Sequence, residues 1–221
     1  MDRLDSEDTR FDQLYFCRHF NALLTKLGVD GQQHYTIGRS IFARMSNENL
    51  TYHNYEHVLN LIIKSIDYDI ELTLTEQLAI WFHDVVYVPL AKFELNEINS
   101  ALFMRASMQG LIDHKILADA ERIIWDTSKH LTDFTPFSEN VLDLDMAHFA
   151  DKREKYNIST KNLIKEFENA GVNRVDFNIG RKTFLQKLLS KKNIYRSKYF
   201  IDNCEDKARE NIRLDLEELA L

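Results

Sequence analysis

Punctuation is what this chain most lacks. Six glycines and two prolines are spread over 221 residues, which leaves little to turn hairpins, while long stretches repeat their apolar residues at helical spacing. "FDQLYFCRHFNALLTKLG" carries Phe11, Leu14, Tyr15, Phe20, Leu23, Leu24 and Leu27, with Gly28 placed to cap the end. Further helices are expected from about Tyr35 to Met45, Tyr55 to Tyr68, Thr75 to Tyr87, Glu94 to Gln109, Lys115 to His130 and Ser138 to Ala150. The last three cover about Arg153 to Ala170, Phe177 to Lys191 and Lys198 to Leu219. Pro89 and Pro136 fall between helices. No stretch alternates at period two, and no repeat or low-complexity linker divides the chain. The expectation is an all-α, single-domain bundle of nine or ten helices.

Composition narrows the function. A formal charge of −7 argues against nucleic acid as a partner. No apolar run of about 18 residues is available to span a membrane, and the N-terminus "MDRLDSEDTR" is acidic where a secretory leader is basic and then apolar. Two lone cysteines, Cys17 and Cys204, rule out a zinc–thiolate centre and suit a reducing, cytoplasmic setting.

Against that background "AIWFHDVVY" stands out, because His83 and Asp84 interrupt an apolar helix. An unpaired ionisable group in a core costs several kcal/mol, roughly 2–7. Adjacent helical residues diverge by about 100°, so both can grip one ion only near a helix end, and Pro89 provides that break. Two other helices carry matching groups. "YHNYEHVLNLI" sets His53 and His57 four apart, with Asn54 as N-cap and an apolar stripe beginning at Val58. "NVLDLDMAHFA" sets Asp143 and Asp145 in an apolar helix, with His148 three residues on. Two neutral imidazoles and two carboxylates balance one divalent cation and leave positions open for water and substrate.

The ordered set of His, His-Asp and a late Asp on an all-helical chain resembles the HD superfamily of metal-dependent phosphohydrolases. The similarity is closest to a branch without an assigned substrate, through "YHNYEHV", "WFHDVVY", "NEINSA", "TSKH", "DLDMAHF" and "CEDKAREN", from about Tyr52 to Asn211. The resemblance implies a metal-binding core over about residues 52–150, with helices of 151–221 packed on it. It implies His57, His83, Asp84 and Asp145 as ligands of a divalent ion, with Mn, Fe, Co, Mg and Zn all compatible. It further implies Glu97 as a proton donor or water orienter, His130 as a phosphate contact, a second-metal ligand or an aid to proton transfer, and Asn96, beside Glu97, as a substrate contact. His53 is either a partner fixing His57 or a substrate contact.

From Arg181 to Lys198 the chain holds seven Lys or Arg and no acid. That run is either a solvated basic face or, through Arg181 and Lys182, a phosphate contact. Arg209 stands at i, i+4 from Glu205, a structural spacing. The expected chemistry is hydrolysis of a nucleotide or another small phosphate ester by an ion-activated water. The rivals are an HD-fold di-iron oxygenase, drawing on His114 and His130, and a nucleotide-binding protein without turnover.

Overall fold

A computed structural model describes residues 4–92 and 94–219 of the chain. Among them there is no strand, and eleven α-helices follow one another: α1 Leu4–Lys26, α2 Gly31–Met45, α3 Tyr55–Asp67, α4 Leu74–Phe82, α5 Leu95–Met108, α6 His114–Thr127, α7 Glu139–Asp145, α8 Arg153–Asn169, α9 Arg174–Ser190, α10 Lys198–Asn203 and α11 Glu205–Glu218. A single 3-10 turn, Ala147–Ala150, joins α7 to α8. One hydrophobic core runs through the bundle, from Phe16 and Phe20 of α1 to Ala208 and Ile212 of α11.

The centre of that core is α4. Its capping box, in which Thr73 and Glu76 exchange hydrogen bonds, starts the helix cleanly. Leu78, Ala79, Ile80, Trp81 and Phe82 are then all buried, so the helix is apolar on every side. Trp81 meets Phe16 edge-on at 4.8 Å and Phe20 at 5.2 Å, and Phe82 meets Phe20 at 5.8 Å. These contacts set α1 against α4, while α3, α5, α6 and α7 complete the ring around it.

Helix ends depart from the expected ones in three instructive places. Apolar composition continues through Tyr87, yet α4 stops at Phe82. The reason lies in α5: the Ser100 hydroxyl receives the Val86 amide and donates to the Val86 carbonyl, and the Asn96 carboxamide does the same for Val88. Those bonds hold 86–88 in a loop. The segment expected as one helix from Ser138 to Ala150 breaks at Met146. The last segment breaks at Cys204, where the Glu205 carboxylate turns back to accept the amides of Ile194 and Tyr195. That break accounts for an eleventh helix.

The face of α1 also differs. Phe20, Leu23 and Leu24 point inward as expected, but Leu14 and Tyr15 are exposed and Phe16 is buried in their place; the Phe11 side chain lies outside the described residues. No helix among those described is long and apolar enough to cross a membrane.

Candidate metal centre

Three helix termini meet at one point. Asn54 caps α3 by accepting the amides of Glu56 and His57, which fixes His57 in the first turn. His83 is the C-cap residue of α4, with Asp84 just beyond it. Asp145 is the last residue of α7. The C-terminal ends of α4 and α7 bring their partial negative charge to the same place, which favours a cation there, and the N-terminus of α3 offsets part of it.

His57, His83 and Asp145 form a group that could hold a metal ion, each offering one ligand atom. The Nε2 atoms of His57 and His83 are 3.3 Å apart, and Asp145 Oδ1 lies 3.1 Å from the first and 3.6 Å from the second. Asp84 Oδ2 stands 3.1 Å from His83 Nε2 and 3.6 Å from His57 Nε2. Donor atoms about 2.1 Å from a shared ion stand roughly 3.0–3.4 Å from one another in octahedral or tetrahedral arrangements. Three of the five distances fall in that range, and the two at 3.6 Å lie just outside it.

The chemistry of the donors fits as well. His83 Nδ1 lies 2.8 Å from the Ile80 carbonyl oxygen. That oxygen can only accept, so Nδ1 carries the hydrogen and the neutral ring has its lone pair on Nε2. This lone pair, another imidazole nitrogen and two carboxylate oxygens face each other at the core's edge, with His83 only 2% exposed. Four electron-rich atoms in such proximity are relieved by a positive charge among them, either a proton on an imidazole or a bound cation. The titration behaviour agrees in sign: burial opposes protonation of His83, yet the Asp84 and Asp145 carboxylates raise its pKa well above the usual value. Burial likewise works against ionised Asp145, but the imidazoles of His130, His57 and His83 around it hold its pKa well below the carboxylate range.

The expected catalytic groups divide. His130 is at the centre: its Nε2 donates to Asp145 Oδ2 at 2.8 Å, so Asp145 gives one oxygen to the metal group and the other to His130. The loop carrying His130 is tied down by Lys191, which donates to the His130 carbonyl, and by Arg196, which donates to the carbonyls of Lys129, Thr132 and Phe134. His53 does not bond to His57; its Nδ1 donates to Glu166 Oε1 at 2.5 Å, and its ring stacks on Tyr87 at 3.7 Å. Glu166 is fully buried in α8, and its second oxygen accepts the amides of Tyr52 and His53. Glu97 is partly buried in the first turn of α5. Burial raises its pKa, the Asp84 and Asp145 charges raise it further, and its own backbone amide and His83 pull the other way.

Both expected substrate contacts have partners within the protein. Asn96 has its oxygen and its nitrogen bonded to Val88, so it shapes the loop after the His-Asp pair. Arg181 is buried, and its Nε and Nη2 donate to Asp215, with Tyr156 and Thr160 also receiving Nη2. Its charge is neutralised inside the protein. Lys182 is exposed and lines neither the cavity nor the cleft beside the centre. The basic run thus supplies internal ties through Arg181, Lys191 and Arg196 rather than an entirely solvated face. Arg209 holds Glu205 at 2.6 Å, as its spacing indicates. His114, needed by the di-iron alternative, is exposed at the start of α6.

Asp143 faces the other way from Asp145, accepting the amides of Arg196 and Ser197; burial outweighs those bonds and pushes its pKa up to about 6. Sequence reasoning missed Glu166, Tyr52 and Tyr87 as parts of the site. The two tyrosines sit inside the conspicuous motifs, but "NLIKEFEN" around Glu166 reads as an ordinary charged helix.

Through Asp145 the centre meets a cavity of about 610 Å³, whose polar end is formed by Tyr52, His53, Tyr87, His130, Asp145 and His148. On its other side is a polar cleft of about 70 Å³ that contains Lys64 and Lys155; Lys64 is paired with Asp151 at 2.6 Å. The chain matches no protein-family model, and no curated protein matches it.

Proposed function

We propose that this chain is a metal-dependent phosphohydrolase, as the resemblance to the HD superfamily implies. The observation that carries the reading is the lone pair of His83 Nε2, fixed by the Ile80 carbonyl and aimed at His57, Asp84 and Asp145. Those four residues would hold one divalent ion. Such an ion polarises a phosphoryl oxygen and makes a nucleophile of water near neutral pH.

The chain's own residues do the rest. Asp145 is kept ionised by its three histidine contacts, and His130 faces the cavity from Asp145, where it can take up or release a proton beside the reacting phosphoryl group. His53 is oriented by Glu166, which takes the Nδ1 hydrogen and leaves Nε2 for the cavity; it is placed to protonate a leaving oxygen. Glu97, its pKa raised by burial, is a second proton source beside Asp84.

The test is phosphate release from phosphate monoesters, diesters and pyrophosphates with Mn, Fe, Co, Mg or Zn added, run beside His83→Ala and Asp84→Ala. Hydrolysis that needs an ion and falls by about a thousandfold or more in both variants is expected. Undiminished activity in either variant would remove the proposed centre, and two irons per chain with oxygen uptake would favour the oxygenase.

A further inference from the structure

The cavity beyond the metal group has a composition of its own. Past the histidines its wall is built from Phe149 of the 3-10 turn, Leu163 and Phe167 of α8, and Phe177 and Phe184 of α9, with Leu90 opposite. Among the described residues, no Ser, Thr, Asn or Gln lines it. A sugar ring or a base edge laid along the phenylalanines would find side-chain partners only at the histidine and tyrosine end and at the rim, leaving most of its hydroxyl and amide groups unpaired, a loss that sites for such ligands avoid.

The charges point the same way. Arg181 is the one Lys or Arg on the described wall, and its guanidinium is already paired with Asp215 at 2.6 Å. Asp176, at the rim, adds negative charge. A second or third phosphate extending along this wall would meet no free cation, and desolvating it there is costly. On the opposite side, Lys64 is committed to Asp151 and Lys155 lies 4.0 Å from the same carboxylate. At about 610 Å³ the cavity is within the range that encloses a small-molecule ligand, about 300–1,000 Å³.

We propose that the ligand of this cavity is a phosphomonoester with a single phosphoryl group at the metal centre and an uncharged, hydrogen-bond-poor body, alkyl or aryl, among the phenylalanines. This rests on the phosphohydrolase reading and narrows it away from nucleotides and sugar phosphates. In the reaction, the oxygen of water bonds to phosphorus, and the bond from phosphorus to the oxygen of the body breaks. A proton passes to that leaving oxygen. The products are an apolar alcohol or phenol and inorganic phosphate.

Binding is tested separately from turnover. Decylphosphonate, which has no ester bond to hydrolyse, should bind the Mn-loaded protein about a hundredfold tighter than methylphosphonate in calorimetry, the difference being the buried tail. Gly180 lines the cavity, and a Cβ there meets no atom within 4 Å. Gly180→Phe should therefore fill the space without strain, keep the melting temperature at or above that of the wild type, and weaken decylphosphonate about tenfold or more. Decyl phosphate and 2-naphthyl phosphate should exceed AMP, ATP and glucose 6-phosphate in kcat/KM by about a hundredfold, and the faster of the two shows whether the body is alkyl or aryl.

Equal affinity for the two phosphonates, or a preference for ATP, AMP or glucose 6-phosphate, would overturn the proposal and leave the hydrolase intact. Tight decylphosphonate binding with no ester hydrolysed under any metal would support the ligand class and overturn the hydrolase.

Discussion

His83 has no freedom of tautomer, and that governs what its neighbours can be. With Nδ1–H given to Ile80, Nε2 can only receive. It receives a proton or an ion, and Asp84 and Asp145 make both welcome. His83→Ala is expected to weaken Mn or Zn binding about a hundredfold or more by calorimetry, since it removes one donor and unsettles the others. Wild-type affinity in that variant would mean that the ion sits elsewhere. Arg181 gives the opposite prediction. Its removal leaves Asp215, only 4% exposed, as a buried unpaired charge, so Arg181→Met should cost about 3–5 kcal/mol in denaturant unfolding, and Arg181→Met with Asp215→Leu should recover most of it. A phosphate-binding arginine would instead raise KM and leave stability nearly unchanged. These two residues also mark what a sequence discloses at this scale. His83, His57 and Asp145 were legible because each interrupts an apolar stripe, a local signal. Arg181 looked free because its partner lies 34 residues away, and Glu166 looked like surface because His53 lies 113 residues away. Charge is written in a sequence; its pairing is not.

At the scale of elements, the decisive event is the early end of α4. Were the helix to continue to Tyr87, Asp84 would point about 100° away from His83, and the two could not serve one site. Ser100 and Asn96 prevent this by giving Val86 and Val88 side-chain partners in place of helical ones. Asn96→Ala is accordingly expected to lower ion affinity about tenfold, through misplacement of Asp84, at a stability cost of about 1–2 kcal/mol. An unchanged ion affinity would mean that the loop holds its shape without α5. The existence of nearly every helix could be read from the spacing of apolar residues, since that spacing is what buries a helix against its neighbours. Its ends could not. The ends at Phe82 and Cys204 coincide with contacts from α5 and with the return of Glu205 to Ile194 and Tyr195, and the Met146 carbonyl accepts the Tyr195 hydroxyl; none of these partners is near in sequence to the motif it shapes.

Across the whole molecule, the proposed ligands come from α3, from the end of α4 and from α7, while the wall of the cavity comes from the 3-10 turn, α8 and α9. Both sets share one hydrophobic core, so an ion that binds the assembled group has no comparable site in the unfolded chain. Binding must then appear as stability. At a free ion concentration about a hundred times its Kd the gain is about 2.7 kcal/mol, which for a chain of this length is a rise of roughly 5–10 °C in melting temperature. The rise should grow with ion concentration, vanish on chelation, and be absent in Asp145→Ala, where both the metal group and the His130 contact are lost. Decylphosphonate added to the ion-loaded protein should raise the melting temperature again, because it bridges the metal group and the α8–α9 wall. A melting temperature indifferent to every added ion would deny the centre, since four facing lone pairs relieved by a cation cannot leave the folded state's free energy unchanged.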